Sequence, residues 1–199
     1  LRNSGNIAVG ELTTKGQILD NTQGQIAVDK ADIQSQQLLN QNGNITTTKQ
    51  LTVHSQKAEN QQGKLLSVEN AQFTVSGSLK NSGTIAGRNA LIINTDTLDN
   101  IGGHVHAQKA AISATQDINN IGGTLSSKNA LILQAGNNIN SQSTTASSQN
   151  TQSSSTHLDR IAGIYITGTE KGVLAAQAGN DINIIASQIS NQSEQGQTQ

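Results

Sequence analysis

Residues 98–125 read LDNIGGHVHAQKAAISATQDINNIGGTL, with the tetrapeptide Asn-Ile-Gly-Gly at 100–103 and again at 120–123. Internal repetition decides a fold before any local preference does, so this period is the place to begin. Working outward, a glycine followed two residues later by an aliphatic residue recurs at Gly5/Ile7, Gly24/Ile26, Gly43/Ile45, Gly63/Leu65, Gly83/Ile85, Gly103/Val105 and Gly123/Leu125. Successive glycines stand 19 or 20 residues apart. An asparagine shortly precedes each one: Asn3, Asn21, Asn40, Asn60, Asn81, Asn100 and Asn120. Upstream of these lie Leu1, Leu19, Leu39, Ala58, Leu79, Leu98 and Ile118.

Between these marks apolar residues alternate with period two, as in Leu51/Val53, Phe73/Val75, Leu91/Ile93 and Leu131/Leu133. That is the signature of strands with one buried face. Four residues after each glycine stand Val9, Val28, Thr47, Ser67, Gly87, Ala107 and Ser127, all small or β-branched and suited to a tight corner. Helical repeats would need i, i+3, i+4 spacing and faces rich in Ala, Leu, Glu and Lys, whereas Asn, Gly, Thr, Ser and Ile dominate here. Three short strands per twenty residues in constant register describe one coil of a parallel β-helix.

The expected fold is therefore all-β, a right-handed parallel solenoid, with coils about 4.8 Å apart. Asn21, Gly24, Asn60, Gly63, Asn100, Gly103, Asn120 and Gly123 are expected at one turn. Gly would serve a positive φ or a close approach there, and Asn would bond to the Asn one coil away. Ile26, Ile45, Leu65, Ile85, Val105 and Leu125 are expected to form one aliphatic column. Such a stack is stabilised coil by coil and neighbour by neighbour, so a lone coil is not expected to fold.

Composition bounds the rest. The chain of 199 residues has no Pro, Cys, Met or Trp, one Phe and one Tyr. A conventional core built on large aromatics is out of reach, and a disulfide scaffold is excluded. Twelve basic and thirteen acidic residues leave a net charge of −1, no field to gather nucleic acid or an anionic membrane. No apolar run approaches the length of a membrane span. LRNSGNIAVG carries no secretory leader, and the start on Leu and the polar QTQ end suggest an excised piece.

The period breaks at SQSTTASSQNTQSSSTH (141–157), which has no large aliphatic residue and reads as a loop outside the solenoid. Ile164-Tyr165-Ile166 reads as a strand of an excursion hairpin. Beyond it AQAGNDIN (176–183) echoes LQAGNNIN (133–140) at a distance of 43 residues. The expected organisation is a β-helix over 1–140, an excursion over 141–170 and further coils of a second repeat type over 171–199.

LDNTQGQIA, LDNIGGHV and INNIGGTL follow the form L-D-N-x-G-G-x-[IV], which resembles the haemagglutinin repeats of the filamentous haemagglutinin family. Residues 19–140 match that first repeat class, and DRIAGIYITG with AGNDINIIASQIS is similar to the start of a second. AENQQGKL and LKNSGTI depart from the pattern. The family comprises large Gram-negative exoproteins exported by two-partner secretion, including adhesins and CdiA-type contact-dependent growth inhibition effectors. The resemblance implies a secreted or cell-surface rod, an outer-membrane transporter as its export partner, and a host or neighbouring-cell receptor. It also implies a stalk that projects an adhesive or toxic tip, or a repeat region that is itself adhesive.

No cofactor, metal or catalytic residue is expected. His104 and His106 flank Val105 as half a metal site with no third ligand evident, and His54 and His157 are isolated. Ser155, His157 and Asp159 hold the letters of a hydrolase triad with no nucleophile elbow. Gly102-Gly103 and Gly122-Gly123 lack the flanking pattern of a phosphate loop. The aspartates at 20, 96, 99, 117 and 181 read as turn residues. Polysaccharide-processing β-helices are the enzyme alternative by fold analogy. One Tyr and one Phe leave almost no sugar platform, so an enzyme is not expected.

Overall fold

The structure is a computed structural model and describes residues 1–149 and 152–199. Alternation of buried and exposed side chains keeps the backbone extended through β1 (Asn6–Asp20), β2 (Gln25–Leu39), β3 (Asn44–Asn60), β4 (Lys64–Ser67), β5 (Asn70–Asn81), β6 (Thr84–Ile101), β7 (His104–Ala114), β8 (Ile118–Ile121) and β9 (Thr124–Ala135). β10 (Ile139–Gln142), β11 (Thr144–Gln149), β12 (Ser154–Arg160), β13 (Gly163–Ile166), β14 (Val173–Ala178), β15 (Ile182–Ile185), β16 (Gln188–Asn191) and β17 (Gln197–Thr198) complete the chain. Every pairing except β11–β12 is parallel and joins equivalent residues of neighbouring coils. The result is an all-β solenoid of about ten turns with coils of about twenty residues, which bears out the fold expected from the period.

Each coil bends twice between its Asn/Gly marks, giving three arms. In the third coil they run over 44–47, 50–55 and 57–60, with the register shifting at the corners between them. The first arms align Ile7, Ile26, Ile45, Leu65, Ile85, Val105, Leu125, Ile164 and Ile189 in one column. From Ile26 to Ile164 that column is buried. The second arms stack Ala31, Leu51, Ala71, Leu91, Ala110, Leu131 and Leu174 beside Ile33, Val53, Phe73, Ile93, Ile112, Leu133 and Ala176. Small follows large along the first of these, and the small Ala71 shares a coil with Phe73, the largest fully buried side chain. Interiors pack to crystal density, so a wide residue needs a narrow neighbour.

The third arms stack Leu19, Leu38, Ala58, Leu79, Leu98, Ile118 and Ile139. Here the expectation for Leu39 is corrected. Leu38 is buried and occupies the column, while Leu39 faces outward beside Asp20 and Glu59. The buried aliphatic residue stands two before each asparagine, and two before Asn40 is Leu38.

The reading of Ile164-Tyr165-Ile166 as a hairpin strand is also corrected. Gly163–Ile166 is a first arm, paired with Thr124–Ser127 on one side and Gln188–Asn191 on the other. The excursion proper is the antiparallel pair β11–β12, which leaves the solenoid after Ser143 and returns at Ala162. Ser143 Oγ accepts from the Ala162 amide at 2.9 Å and donates to the Ala186 carbonyl at 2.5 Å, so both ends of the excursion meet on one side chain. Residues 150 and 151, within the stretch read as a loop, lie outside the described residues. Gln134 pairs with Gln177 and Asn140 with Asn183, so the 43-residue echo is one coil lengthened by the excursion.

Candidate interaction site

The turn between third and first arms is organised by a buried line of asparagines. Asn3 Nδ2 donates to Asn21 Oδ1 at 2.8 Å, and the same bond runs from Asn21 to Asn40, Asn40 to Asn60, Asn60 to Asn81, Asn81 to Asn100 and Asn100 to Asn120 at 2.8–2.9 Å. Asn120 donates to Ser141 Oγ at 3.2 Å, and Ser141 Oγ lies 2.6 Å from Ser187 Oγ. Each amide also reaches main chain: Asn60 Nδ2 donates to Gly63 O and to Thr84 O of the next coil, both at 3.1 Å. A buried amide is costly unless paired, and here both ends of the group are occupied.

The glycines around this line divide two tasks. Positive φ falls one residue before most recurring glycines, at Gln23, Asn42, Gln62, Gly102 and Gly122. Gln and Asn tolerate the left-handed region at some cost, and Gly at none. The recurring glycine itself is required by close approach. A Cβ on Gly123 would stand 2.5 Å from Asn100 Nδ2 and 2.8 Å from both Asn100 O and Asn120 Oδ1. The second glycine of each Asn-Ile-Gly-Gly thus makes room for the asparagine line, and the first makes the turn.

Around the excursion the same two coils carry a second contact. The Arg160 guanidinium lies over Gly102, and the Arg160 stem and Thr144 lie over Gly122, where a Cβ would meet them at 3.0–3.2 Å. The base of β11–β12 therefore rests on the two glycine pairs. Thr144 Oγ1 holds it together by donating to Asp159 Oδ2 at 3.3 Å and accepting the Arg160 amide at 3.2 Å. Beyond its base the hairpin is exposed throughout β12, and among the described residues its strands pair only with each other. No sequence signal marks the Arg160 seat, because a single arginine in a polar stretch has no periodic counterpart.

A second, outer line was also missed: Asn183 donates to Asn140, Asn140 to Asn119 and Asn119 to Asp99, at 2.8–2.9 Å. Its signal was present in DNI (99–101), NNI (119–121), NIN (138–140) and DIN (181–183), where a polar residue directly precedes the line position or stands one coil away from another.

The residues considered for chemistry do not assemble. Ser155, His157 and Asp159 alternate along the exposed β12, about 6.8 Å apart along the backbone, and Asp159 Oδ2 accepts from Thr144 on the facing strand. His104 and His106 are exposed on either side of buried Val105, between Thr84/Ala86 and Thr124/Ser126 on adjacent coils. Desolvation, and then the neighbouring His104 charge, hold the His106 pKa below the usual imidazole value. Among the described residues no three His, Cys, Asp or Glu come together in a way that could hold a metal ion. Among the described residues no helix is long and apolar enough to cross a membrane.

A parallel solenoid whose coils are pinned through stacked buried asparagines defines a repeat protein of the rod-forming class. The chain belongs to the haemagglutinin repeat family, whose model matches residues 1–31, 23–83, 70–122 and 84–162. No curated protein and no solved structure matches the chain. The family and the solenoid together point to a structural or adhesin-type exoprotein segment.

Proposed function

We propose that this chain is a stalk segment of a large secreted or cell-surface bacterial exoprotein, exported through an outer-membrane two-partner-secretion transporter and carrying an adhesive or toxic tip away from the cell. The observation that supports it is the unbroken asparagine line with its four aliphatic columns, which makes length and stiffness the chief products of the sequence. The coils over 1–140, the excursion and the coils beyond it then form one lengthened rod with a decorated side. The absence of cysteine suits a chain that crosses a membrane unfolded, since a disulfide would obstruct the passage.

The test removes residues 84–123, two whole coils, from the parent exoprotein. Register is preserved because Lys64–Ser67 then meets Thr124–Ser127 as it met Thr84–Gly87. Surface display and tip-dependent cell contact should persist. Loss of contact with the exoprotein still displayed would defeat the stalk reading and make the repeats themselves the adhesive module. That second reading has its own support in the exposed β11–β12 hairpin, since recognition commonly sits on irregular segments held by a rigid scaffold. Removing 144–160 and joining Ser143 to Ile161 isolates the hairpin's share.

A further inference from the structure

The outward side chains of the second arms change character halfway along the rod. Their middle column begins with Thr13, Asp32, Thr52 and Gln72 and continues as Ile92, Ala111, Ile132 and Ala175. Beside this apolar stripe run Ala90, Lys109, Ala130 and Val173 on one flank, and Asn94, Ser113, Gln134 and Gln177 on the other. Ile92 is 42% exposed, Ile132 48% and Val173 37%, while the alternate residues Leu91, Ile93, Leu131 and Leu133 are buried. Lys109, exposed at the border, is the one charged residue in this half of the three columns.

The stripe alternates large and small, and Ile-Ala-Ile-Ala read backwards is Ala-Ile-Ala-Ile. Two copies laid face to face with antiparallel axes therefore set Ile92 against Ala175 and Ala111 against Ile132 of the other copy, and a two-fold axis repeats both contacts. With parallel axes Ile92 would meet Ile92 and Ile132 would meet Ile132. A receiving hollow exists in the free chain, a recess of about 200 Å3 at Ala175 bordered by Ile132, Gln134, Gln177 and Gln199. Facing sheets interdigitate large side chains into such hollows. In the same arrangement Lys109 faces Ala130, Gln72 meets Gln199 at the rim, and the charged Lys30 and Asp32 lie outside the overlap.

We propose that this stripe is a self-association face that binds a second copy of the chain in antiparallel orientation. Four coils at about 4.8 Å by three outward positions at about 6.8 Å cover roughly 400 Å2 on each copy. The total of about 800 Å2 falls short of the roughly 1,200 Å2 at which stable interfaces begin, so the pairing is reversible, with Kd of about 10–100 µM. On the reading of this chain as part of a surface rod, rods from two facing cells meet in the antiparallel sense and rods on one cell do not. Many weak contacts between facing cells then add up through multivalency.

The test uses the purified 199-residue chain, so its failure would leave the stalk reading standing. Sedimentation equilibrium should show a monomer–dimer exchange. Ala111→Lys should abolish it, while Thr52→Lys, in the polar half of the same column, should leave it unchanged. Ala111→Ile adds apolar area yet sets Ile against Ile132, so it should weaken the dimer about tenfold, and adding Ile132→Ala should restore it. Lys109→Gln should tighten it. The native chain has no cysteine, so orientation can be read by oxidation. Chains carrying Ala111→Cys and Ile132→Cys, when mixed, should join to each other faster than either joins to itself. Far-UV circular dichroism checks that each variant is folded. A chain that stays monomeric through the millimolar range would overturn the proposal, as would equal effects of Ala111→Lys and Thr52→Lys. Stronger association of Ala111→Ile would reveal unspecific stickiness, and faster self-joining of Ala111→Cys would reveal parallel rods; either result also overturns it.

Discussion

Replacing Asn60 by alanine interrupts the buried line in the middle of the rod. The substitution removes three donations, to Asn81 Oδ1 at 2.8 Å and to Gly63 O and Thr84 O at 3.1 Å, and one acceptance from Asn40 Nδ2 at 2.8 Å. Asn40 keeps Gly43 O and Lys64 O, and Asn81 Oδ1 keeps the Gly83 amide, so neither neighbour is orphaned completely. Two side-chain bonds at about 1 kcal/mol each, with a partial penalty for the buried groups left behind, give a loss of about 3 kcal/mol. At an unfolding entropy of about 2.1 cal/mol/K per residue, that lowers Tm by about 7 °C if the rod melts as one unit. Asn3→Ala is the control, because among the described residues no asparagine donates to Asn3, which gives up its bonds to Asn21, Gln25 and the local Gly5 amide; it should cost about 1 kcal/mol. Urea titration followed at the far-UV β band measures both. Equal losses for the two variants, or a loss below about 1 kcal/mol for Asn60→Ala, would refute the claim that the line acts as a continuous buried network.

Further outcomes follow from the same geometry. Phe73→Ala empties a site between Val53 and Ile93 and should cost about 3–5 kcal/mol in the same titration. Gly122→Ala introduces a side chain at positive φ against Thr144 and Arg160, so limited proteolysis should cut within 144–160 faster than in the parent; Phe73→Ala, remote from the seat, should not reproduce that selective cut. Removing 144–160 should leave the thermal transition nearly unchanged, because Ser143 and Ala162 already meet. His106 has a folded pKa below its unfolded value, so the unfolded chain binds more protons in the interval between them. Stability should therefore fall as pH drops through about 6.5 toward the lowered value, and His106→Gln should flatten that part of the profile, as read by Tm against pH.

How much of this was legible in the sequence depends on whether a residue has a counterpart one coil away. Ile85, Val105 and Leu125 announce their column because nothing but stacking rewards so strict a spacing. The third-arm column was misassigned at Leu38/Leu39 because two adjacent leucines satisfy the same loose pattern, and only the fixed offset from Asn40 separates them. Ile164-Tyr165-Ile166 was misplaced because an inserted hairpin shifts the numbering by nearly a whole coil, hiding its alignment with Leu125 until pairing is seen. The Arg160 seat was invisible for a related reason: it depends on which long side chain meets Gly102 and Gly122 in three dimensions, and it has no counterpart one coil away.

The asparagine line has a sense of direction. From Asn3 to Asn120 every amide gives its proton toward the carboxyl-terminal neighbour, so a coil already in place offers an N–H donor to whichever coil comes next. Hydrogen bonds aligned head to tail polarise one another, which makes each addition more favourable than an isolated pair would be. Either end of the stack is thus a template: its carboxyl-terminal coil presents an amide N–H and its amino-terminal coil an amide oxygen to whichever coil joins it.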